Sequence, residues 1–319
     1  MSKLLITFPG QGSQFVGMGQ KFLTSPFKDI AEKYFELASQ TLGFNVKKLC
    51  FQGPVSELTL TQNAQPLIVT ISTIYGEAFK SILKKEYQFI SMGHSVGEYS
   101  ALVFAKALNF TDALKLTKAR GQAMQKSVPV GVGAMYAILR ANDDKVREAC
   151  KLAFQECNEI VEPANFNTPS QLVISGTKLG CEIAIEKLAQ IDDSKFRSIP
   201  LNVSAPFHCS LMSPAQETMR KAFNDFQINK LEGSYIPNVT AKLTHSNENV
   251  KENLVQQITA PVLWSKSLET LPSELKCIDL GPGTITAGLV SKTRKDFSLL
   301  KLGDLELSSW EDIVQSFIS

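Results

Sequence analysis

The stretch Gln88-Phe-Ile-Ser-Met-Gly-His-Ser-Val-Gly-Glu-Tyr-Ser-Ala-Leu102 is the part of this chain that says most about its fold and chemistry. Residues 89–92 are apolar enough for a short buried strand, residues 96–107 predict a helix, and Gly-x-Ser-x-Gly around Ser95 lies between them. So tight a reversal strains the backbone of the serine, and glycine two positions before and after it avoids clashing side chains. The pattern is typical of a nucleophile elbow.

The position of Ser95 at the start of the predicted helix indicates how a developing negative charge would be stabilised. Main-chain N–H groups and the positive end of the helix dipole lie there, and the N–H of Val96 is a candidate donor to an oxyanion. Glycine and serine also occur together in ordinary turns, so the alternative is a purely structural connection. A functional assignment therefore needs a base for the serine.

Histidine is the usual base for a serine hydroxyl at neutral pH, and the chain has three. His94 precedes Ser95 on the strand, where alternation sends neighbouring side chains to opposite sides, which predicts a packed, hydrogen-bonded residue. His245 lies in a polar run that predicts a solvated loop. His208 follows a strand and loop from which it can reach the elbow, so elimination makes it the predicted base. Its alternative role is that of a core histidine bonded to the backbone.

The group that orients His208 stays open at this point. Asp279, at the end of a predicted strand, is one candidate, but no acidic residue has a diagnostic spacing. A main-chain or amide carbonyl can also hold an imidazole in the required tautomer, so an acid is not obligatory.

The rest of the chain predicts an α/β fold in which a small unit interrupts a larger one. Residues 134–200 follow the order βαββαβ, which is typical of a ferredoxin-like unit. We therefore predict the first part of the larger domain at 1–130, the insert at 131–200 and the second part at 201–319. The larger unit is predicted to contain strands at 3–8, 89–92, 235–239 and 277–280 and helices at 31–41, 63–85, 96–107, 111–126, 214–226 and 285–292, with further helices ending at 257 and around 313.

Two further features of the larger unit indicate ligand binding. The loop Pro9-Gly-Gln-Gly-Ser-Gln14 has two close glycines that let the main chain approach a ligand, although it can equally be a tight connection. Arg120 lies on the helix at 111–126, for which Thr111 is a plausible cap. Its helix neighbours are apolar, which favours an anionic partner over a solvated position, with a structural ion pair as the alternative.

Composition excludes several classes of protein. The 319 residues are 44% hydrophobic and 20% charged, which is ordinary for a globular protein. The net charge of +2 does not indicate the strongly basic surface that nucleic-acid-binding proteins carry. The six cysteines form no Cys-x-x-Cys pair, so we expect reduced thiols, no disulfide framework and no metal site. Neither a leader peptide nor a transmembrane run is evident, so we expect a cytoplasmic protein without membrane contact.

Six motifs together carry a resemblance to a known family. In chain order they are Gly10-Gln-Gly-Ser-Gln14, Gly93-His-Ser-Val-Gly-Glu-Tyr-Ser-Ala101, Arg120-Gly-Gln-Ala-Met124, Asn165-Phe-Asn167, Pro206-Phe-His208 and Gln257-Ile-Thr-Ala-Pro-Val-Leu-Trp264. With these the chain resembles the malonyl-CoA:acyl carrier protein transacylases over nearly its whole length. The resemblance implies an α/β-hydrolase-like domain that carries a ferredoxin-like insert.

The resemblance also implies roles for the reacting residues. Ser95 would accept the acyl group, His208 would be the base, and the side-chain carbonyl of Gln257 would orient His208 in place of Asp279. The main-chain N–H of Gln11 would join that of Val96 in the oxyanion hole.

Further residues would bind the substrate. Arg120 would pair with the free carboxylate of the malonyl group, and we place Met124 of the same motif in the substrate site. Either Asn165 or Asn167 would lie near the substrate. Phe207 is the residue type that accompanies a preference for malonyl, whereas serine there often accompanies methylmalonyl.

The implied reaction moves malonyl from malonyl-CoA to the thiol of acyl carrier protein by a ping-pong mechanism without a cofactor, in support of fatty acid synthesis. Malonyl-CoA and acyl carrier protein would be the partners, and we expect a monomer. A serine thioesterase or esterase is the rival enzyme class, since it would share the elbow and the base but release the acyl group to water. A non-catalytic carrier-binding protein is a third hypothesis, which labelling of Ser95 by substrate would exclude.

Overall fold

The protein contains a parallel and an antiparallel sheet, as seen in a computed structural model that describes residues 3–129 and 131–319. In chain order the strands are β1 (Lys3–Phe8), β2 (Gln88–Gly93), β3 (Gly133–Leu139), β4 (Val161–Thr168), β5 (Gln171–Thr177), β6 (Arg197–Pro200), β7 (Ser234–Tyr235), β8 (Lys276–Asp279) and β9 (Ser298–Lys301). The helices are α1 (Lys28–Leu42), α2 (Val46–Gln52), α3 (Val55–Thr59), α4 (Thr61–Ser81), α5 (Gly97–Phe104), α6 (Phe110–Ser127), α7 (Asp143–Cys157), α8 (Lys178–Ile191), α9 (Ser213–Ala222), α10 (Val250–Gln256), α11 (Trp264–Glu269), α12 (Ile285–Thr293) and α13 (Trp310–Ile318). The predicted α/β class is confirmed.

The larger sheet is parallel, with the strand order β7-β2-β1-β8-β9. Both of its faces are buried, because Leu4 and Ile6 pack into one apolar cluster while Leu5 packs with Ile90 into another. Burial on two faces explains why β1 is a nearly continuous apolar run. The carboxyl ends of β1 and β2 lie side by side, so the loop after β1 and the elbow after β2 occupy the same edge of the sheet. Ligands of open α/β sheets bind at this edge.

The smaller sheet lies within residues 133–200, and its elements follow the order β3-α7-β4-β5-α8-β6. Neighbouring strands are antiparallel in the order β4-β5-β3-β6, which is the arrangement of a split βαβ unit. Strand β4 is also tied to the larger unit, because the N–H of Phe166 donates to the carbonyl of Val262 and the N–H of Val262 donates to that of Ala164, both at 2.9 Å. This link fixes the end of β4 beside the edge that carries the elbow.

Several helix boundaries differ from the sequence prediction, among them the end of α9, which lies at Ala222 and not at Phe226. Asn109, not Thr111, occupies the N-cap position of α6, and its side chain makes no capping hydrogen bond. Helix α5 ends at Phe104, and Lys106 just beyond it takes a left-handed conformation with φ 57°. Helix α4 ends at Ser81, four residues before the predicted end. Apolar periodicity runs through these ends, so the pattern does not mark them.

Short elements account for the other differences. Strand β9 and helices α2, α3 and α11 were not predicted, and the strand predicted at 235–239 is only the two-residue β7. Segments of two to seven residues are too short to show a period, and β9 forms only because β8 offers a partner edge.

Neither a membrane span nor a metal cluster occurs in the part of the chain that the structure describes. No helix within residues 3–129 and 131–319 is long and apolar enough to cross a bilayer. The same residues contain no group of three or more histidine, cysteine, aspartate and glutamate side chains that could hold a metal ion.

Candidate active site

The elbow places Ser95 between β2 and α5 in a strained conformation. Its φ is 51°, in the left-handed region that few residues other than glycine adopt. A Cβ on Gly93 would overlap the main-chain carbonyl of Gly97, and a Cβ on Gly97 would lie 2.5 Å from the carbonyl oxygen of Phe8. Glycine is therefore required at both positions by backbone that crosses directly against them.

The hydroxyl of Ser95 is hydrogen-bonded to His208. The distance from Ser95 Oγ to His208 Nε2 is 2.7 Å, and His208 Nδ1 lies 2.7 Å from the main-chain carbonyl oxygen of Gln257. Because a carbonyl oxygen only accepts, Nδ1 carries the proton, which leaves Nε2 free to accept the proton of the hydroxyl. The pair has the geometry that a nucleophile and its general base need.

The contact to Gln257 corrects one expectation. The resemblance implied that the side-chain carbonyl of Gln257 orients His208, but the main-chain carbonyl makes this hydrogen bond. The side chain is turned the other way, where its Oε1 accepts from Arg120 and its Nε2 donates to Glu98. Asp279 is buried in the parallel sheet, where its carboxylate accepts from Thr7 Oγ1 at 2.6 Å. It is not the orienting group.

His208 is neutral at physiological pH. Burial, reinforced by the positive charge of Arg120, lowers the pKa of His208 to about 3. A neutral imidazole can accept a proton, whereas an imidazolium cannot, so the burial of His208 keeps the base in its working form.

Arg120 on α6 is buried and contacts the hydroxyl of Ser95. Its side chain is 2% exposed, and Nη2 donates to Ser95 Oγ at 3.2 Å and to Gln257 Oε1 at 2.9 Å, while Nη1 donates to Gln65 Oε1 at 2.8 Å. Nε is buried without a partner, and no carboxylate of residues 3–129 and 131–319 lies within 4.0 Å of the guanidinium. A buried guanidinium normally pairs with an anion, so this one has unused capacity for an anionic ligand.

The two main-chain N–H groups expected in the oxyanion hole are available. Neither the N–H of Gln11 nor that of Val96 donates to an acceptor among the described residues. The loop of Gln11 approaches the elbow closely, since a Cβ on Gly10 would lie 2.5 Å from the carbonyl oxygen of His94. The side chain of Gln11 is held by Thr61, whose Oγ1 donates to its Oε1 at 2.8 Å.

A cavity of about 590 Å³ opens in front of Ser95 and His208. The loop after β1, the elbow, strands β4 and β5 and the segment after β6 all contribute to its wall, so it lies between the two sheets. Asn165, Asn167 and Phe207 line it together with the two reacting residues. Of the two asparagines, Asn167 is already engaged, because its Oδ1 lies 2.8 Å from Nε2 of His94.

Two expected substrate-binding residues do not line this cavity. Arg120 touches it only through Ser95 Oγ. Met124 is 1% exposed, one turn further along α6, and its sulfur lies 3.8 Å from Nε2 of Gln65. Met124 therefore packs in the apolar core and not in the cavity wall, and its assignment to the substrate site stays a prediction.

The other two histidines lie where the sequence placed them. The ring of His94 packs 5.5 Å from that of Trp264 and bonds to Asn167, while the exposed His245 bonds to Ser234 Oγ at 3.0 Å. Neither contacts Ser95.

Sequence reasoning missed two buried polar residues behind the elbow. Asn238 accepts from the N–H of Ser95 at 2.8 Å and donates to the carbonyl of Gly93 at 2.7 Å, and Glu98 accepts from the N–H of Asn238 at 3.0 Å. Asn238 follows β7 at the carboxyl edge of the parallel sheet, a position that is itself a signal for a site residue. Glu98 stands within the elbow motif, but its role depends on contacts that the sequence does not reveal.

Comparisons with known proteins agree over nearly the entire chain. The family model described as Acyl transferase domain matches residues 6–298. The Malonyl CoA-acyl carrier protein transacylase of Bacillus subtilis (strain 168) is 40% identical over 309 residues, which cover 96% of this chain and 95% of that protein.

Solved structures give the same result. The malonyl CoA-acyl carrier protein transacylase from Clostridium perfringens superposes with a TM-score of 0.89 at 36% identity, covering 99% of this chain and 98% of that one. A malonyl-transacylase that was solved in complex with its type II PKS acyl-carrier protein superposes with a TM-score of 0.89 at 33% identity. The match covers 98% of this chain and 100% of that one. The chain therefore belongs to the acyl transferase domain family and, within it, to the malonyl CoA-acyl carrier protein transacylases.

Proposed function

We propose that this protein transfers the malonyl group of malonyl-CoA to the phosphopantetheine thiol of an acyl carrier protein through a malonyl ester on Ser95. The observation that carries the proposal is the buried Arg120, which has no carboxylate partner among the described residues and lies 3.2 Å from the hydroxyl that His208 is placed to activate. A nucleophile beside an unpaired cation suits an acyl group that bears its own carboxylate.

The first half-reaction forms the ester. Ser95 Oγ attacks the thioester carbonyl while His208 Nε2 takes the hydroxyl proton, and the resulting oxyanion is held by the N–H groups of Gln11 and Val96. The carbon–sulfur bond then breaks, and the CoA sulfur leaves with the proton from His208. Malonyl remains on Ser95.

The second half-reaction reverses these steps with a different thiol. His208 takes the proton of the pantetheine thiol, the sulfur attacks the ester carbonyl, and the carbon–oxygen bond to Ser95 breaks as the proton returns to its hydroxyl. The reaction as proposed needs only protein groups, the thioester of malonyl-CoA and the thiol of the carrier. A related malonyl-transacylase that forms a complex with an acyl-carrier protein supports the choice of second substrate.

Phe207 supports a preference for malonyl over its methylated analogue. The ring lines the cavity directly before His208. We propose that it limits the space for a branch on the acyl group, in line with the preference for malonyl that phenylalanine accompanies at this position in related acyltransferases. Asn165, whose side chain is also in the wall, is the asparagine we assign to the substrate, because Asn167 is held by His94.

The proposed domain organisation follows from the two sheets. We take residues 131–200 as a ferredoxin-like insert in an α/β-hydrolase-like domain formed by 1–130 and 201–319, which the strand orders and the elbow support. We propose that the protein works as a monomer. Its product would supply carrier-bound malonyl for fatty acid elongation in the cytoplasm.

Mixing the protein with an excess of malonyl-CoA in the absence of a carrier is expected to leave a malonyl group on Ser95, because the only thiol acceptor present is the small amount of CoA that the reaction releases. Intact mass and peptide mapping measure the adduct, and Ser95→Ala is the control that should not form it. Addition of holo-acyl carrier protein should discharge the ester to the carrier. Release of free malonate at the same rate with or without carrier would instead identify a thioesterase, and an adduct on another residue would overturn the nucleophile.

A further inference from the structure

Glu98 is a buried carboxyl group directly behind the elbow, three residues after Ser95 on α5. Its side chain is 1% exposed. Oε2 accepts two hydrogen bonds, from the main-chain N–H of Asn238 at 3.0 Å and from Nε2 of Gln257 at 2.8 Å. Oε1 is buried with no hydrogen-bond partner among the described residues. Burying a carboxyl group with one oxygen unpaired costs free energy of folding. Buried polar groups that lack partners are uncommon in native proteins, and a functional role is one explanation for them.

Both donors to Glu98 belong to residues that hold a reacting group. Asn238 accepts from the N–H of Ser95 at 2.8 Å and so fixes the strained backbone of the nucleophile. Gln257 accepts from Nδ1 of His208 at 2.7 Å through its main-chain carbonyl, and its Nε2 also donates to the carbonyl of Ser95 at 3.0 Å. One carboxylate oxygen thus joins the two separate segments that position the nucleophile and the base.

The side-chain amide of Gln257 lies between two charged groups. Its Oε1 faces Nη2 of Arg120 at 2.9 Å, and its Nε2 faces Oε2 of Glu98 at 2.8 Å. A cation beside the amide oxygen and an anion beside the amide nitrogen both favour this orientation over the flipped one. Loss of the negative charge would remove half of that preference and would loosen Arg120 at its contact with Ser95.

We propose that Glu98 is a positioning residue for the transfer reaction. Through Gln257 and Asn238 its carboxylate holds the Ser95–His208 pair in register and keeps Arg120 aimed at the nucleophile. The inference deepens the proposed function and rests on it for the identity of the acyl group. The part that concerns the serine and histidine pair does not depend on the substrate.

The ionisation of Glu98 should make the rate of transfer depend on pH, and this dependence can be measured. Burial raises the pKa of Glu98 to about 7, against the opposing effects of its two N–H donors and of Arg120. The other ionisable groups that face it are Tyr99 of α5 and Tyr235 of β7, and burial raises the pKa of both phenols, so they stay neutral. The base does not titrate in this range, because its pKa is lowered to about 3. A rise in rate near this pH that is present in the wild type and absent from Glu98→Gln would therefore report on Glu98.

Glu98→Gln keeps the shape of the side chain and an acceptor for both donors but removes the charge. We expect it to lower kcat for malonyl transfer by about 10- to 100-fold, with a smaller change in KM, because a small misplacement of reacting groups costs rates of that order. The rise in rate near pH 7 should disappear. Asp279→Asn is the matched control, since Asp279 is also buried with its pKa raised, to about 6, but lies outside the site. It should keep both the rate and the rise.

Stability separates this effect from a folding defect. An unfolded glutamate ionises near 4.5, whereas folded Glu98 does so near 7, so between these values the native state holds a proton that the unfolded chain has lost. Raising the pH removes that proton, and the wild type loses stability from pH 4.5 to 7. Glu98→Gln lacks this loss, so its thermal unfolding temperature should rise relative to that of the wild type as the pH increases, while its activity stays below that of the wild type.

The rate at which a fluorophosphonate probe labels Ser95 tests the serine and histidine pair without any malonyl substrate. Glu98→Gln should slow this labelling, and the wild type should label faster as the pH passes through about 7. If the wild type does not transfer malonyl but still labels faster than Glu98→Gln, Glu98 keeps its role and the proposed function is overturned instead. Unchanged labelling and transfer rates in Glu98→Gln would overturn the role of Glu98.

Discussion

Replacing Arg120 with alanine is expected to depress malonyl transfer strongly and acetyl transfer much less. The guanidinium is buried, has no carboxylate within 4.0 Å among residues 3–129 and 131–319, and lies 3.2 Å from Ser95 Oγ. We propose that the malonyl carboxylate is the anion, which would reach the guanidinium past Ser95 Oγ, the point at which Arg120 meets the cavity. Hydrogen bonds to charged groups contribute about 1.5–3 kcal/mol, which corresponds to a loss of roughly 10- to 150-fold in the specificity constant for malonyl-CoA.

Acetyl transfer should respond differently because an acetyl group offers no anion. In the wild type, a bound acetyl methyl leaves a desolvated charge unpaired beside it, and removal of the guanidinium removes that cost. The ratio of the specificity constants for malonyl-CoA and acetyl-CoA measures the change, since any general damage to Ser95 or His208 cancels in it.

Arg120→Lys is the matched control for charge. An ammonium group keeps the positive charge but cannot reproduce the planar fork that contacts both Gln65 and Gln257, so its selectivity should lie between those of the wild type and Arg120→Ala. An unchanged ratio in Arg120→Ala would make the arginine structural. Phe207 and Asn165 would then be the next residues to test for selectivity.

Replacing His208 with alanine is expected to remove most of the transfer activity. The imidazole is the group that contacts Ser95 Oγ at 2.7 Å and can take its proton, and general-base catalysis contributes about 10²–10⁴ in rate. Single-turnover formation of the malonyl ester on Ser95 measures the step directly. The loss should appear in this rate and not in the binding of malonyl-CoA.

Gln257→Ala and Asp279→Asn distinguish the orienting groups. The first keeps the main-chain carbonyl that holds His208 and loses only the amide between Arg120 and Glu98, so its defect should be smaller than that of His208→Ala. The second alters a carboxyl group bonded to Thr7 inside the sheet and should be nearly silent. A defect in Asp279→Asn as deep as that of His208→Ala would restore an acid to the orienting position and contradict this arrangement.

The stability of His208→Ala at acid pH tests whether this variant loses catalytic activity while it keeps the native fold. The unfolded imidazole binds a proton near pH 6.5, whereas burial lowers the pKa of the native one to about 3. The wild type therefore loses stability as the pH falls from 6.5 toward 3, because the unfolded state takes up the proton first. His208→Ala should lack that loss and remain folded at neutral pH.

The residues next to the chemistry were largely predictable from the sequence. Gly93 and Gly97 mark the elbow because other main-chain segments pack directly against both residues and leave no space for a Cβ atom. Both glycines lie within the five-residue motif, so the requirement is visible in the local sequence. With only three histidines, elimination left His208, and an arginine among apolar neighbours on one helix was visible from its period. The βαββαβ order of the smaller sheet was equally local, since each of its elements is long enough to show a pattern.

The tertiary structure decided everything that depends on how distant segments meet. Gln257 approaches His208 with its main-chain carbonyl and turns its side chain toward Arg120 and Glu98, a choice between two oxygens of one residue that no sequence pattern encodes. Met124 shares a helix face with Arg120 yet packs into the apolar core, where its sulfur lies 3.8 Å from Nε2 of Gln65 on α4. Hydrogen bonds between residues that are far apart in the chain are set by the packing of whole elements, so the sequence indicates the candidate reacting groups while the fold selects the atoms that hold them.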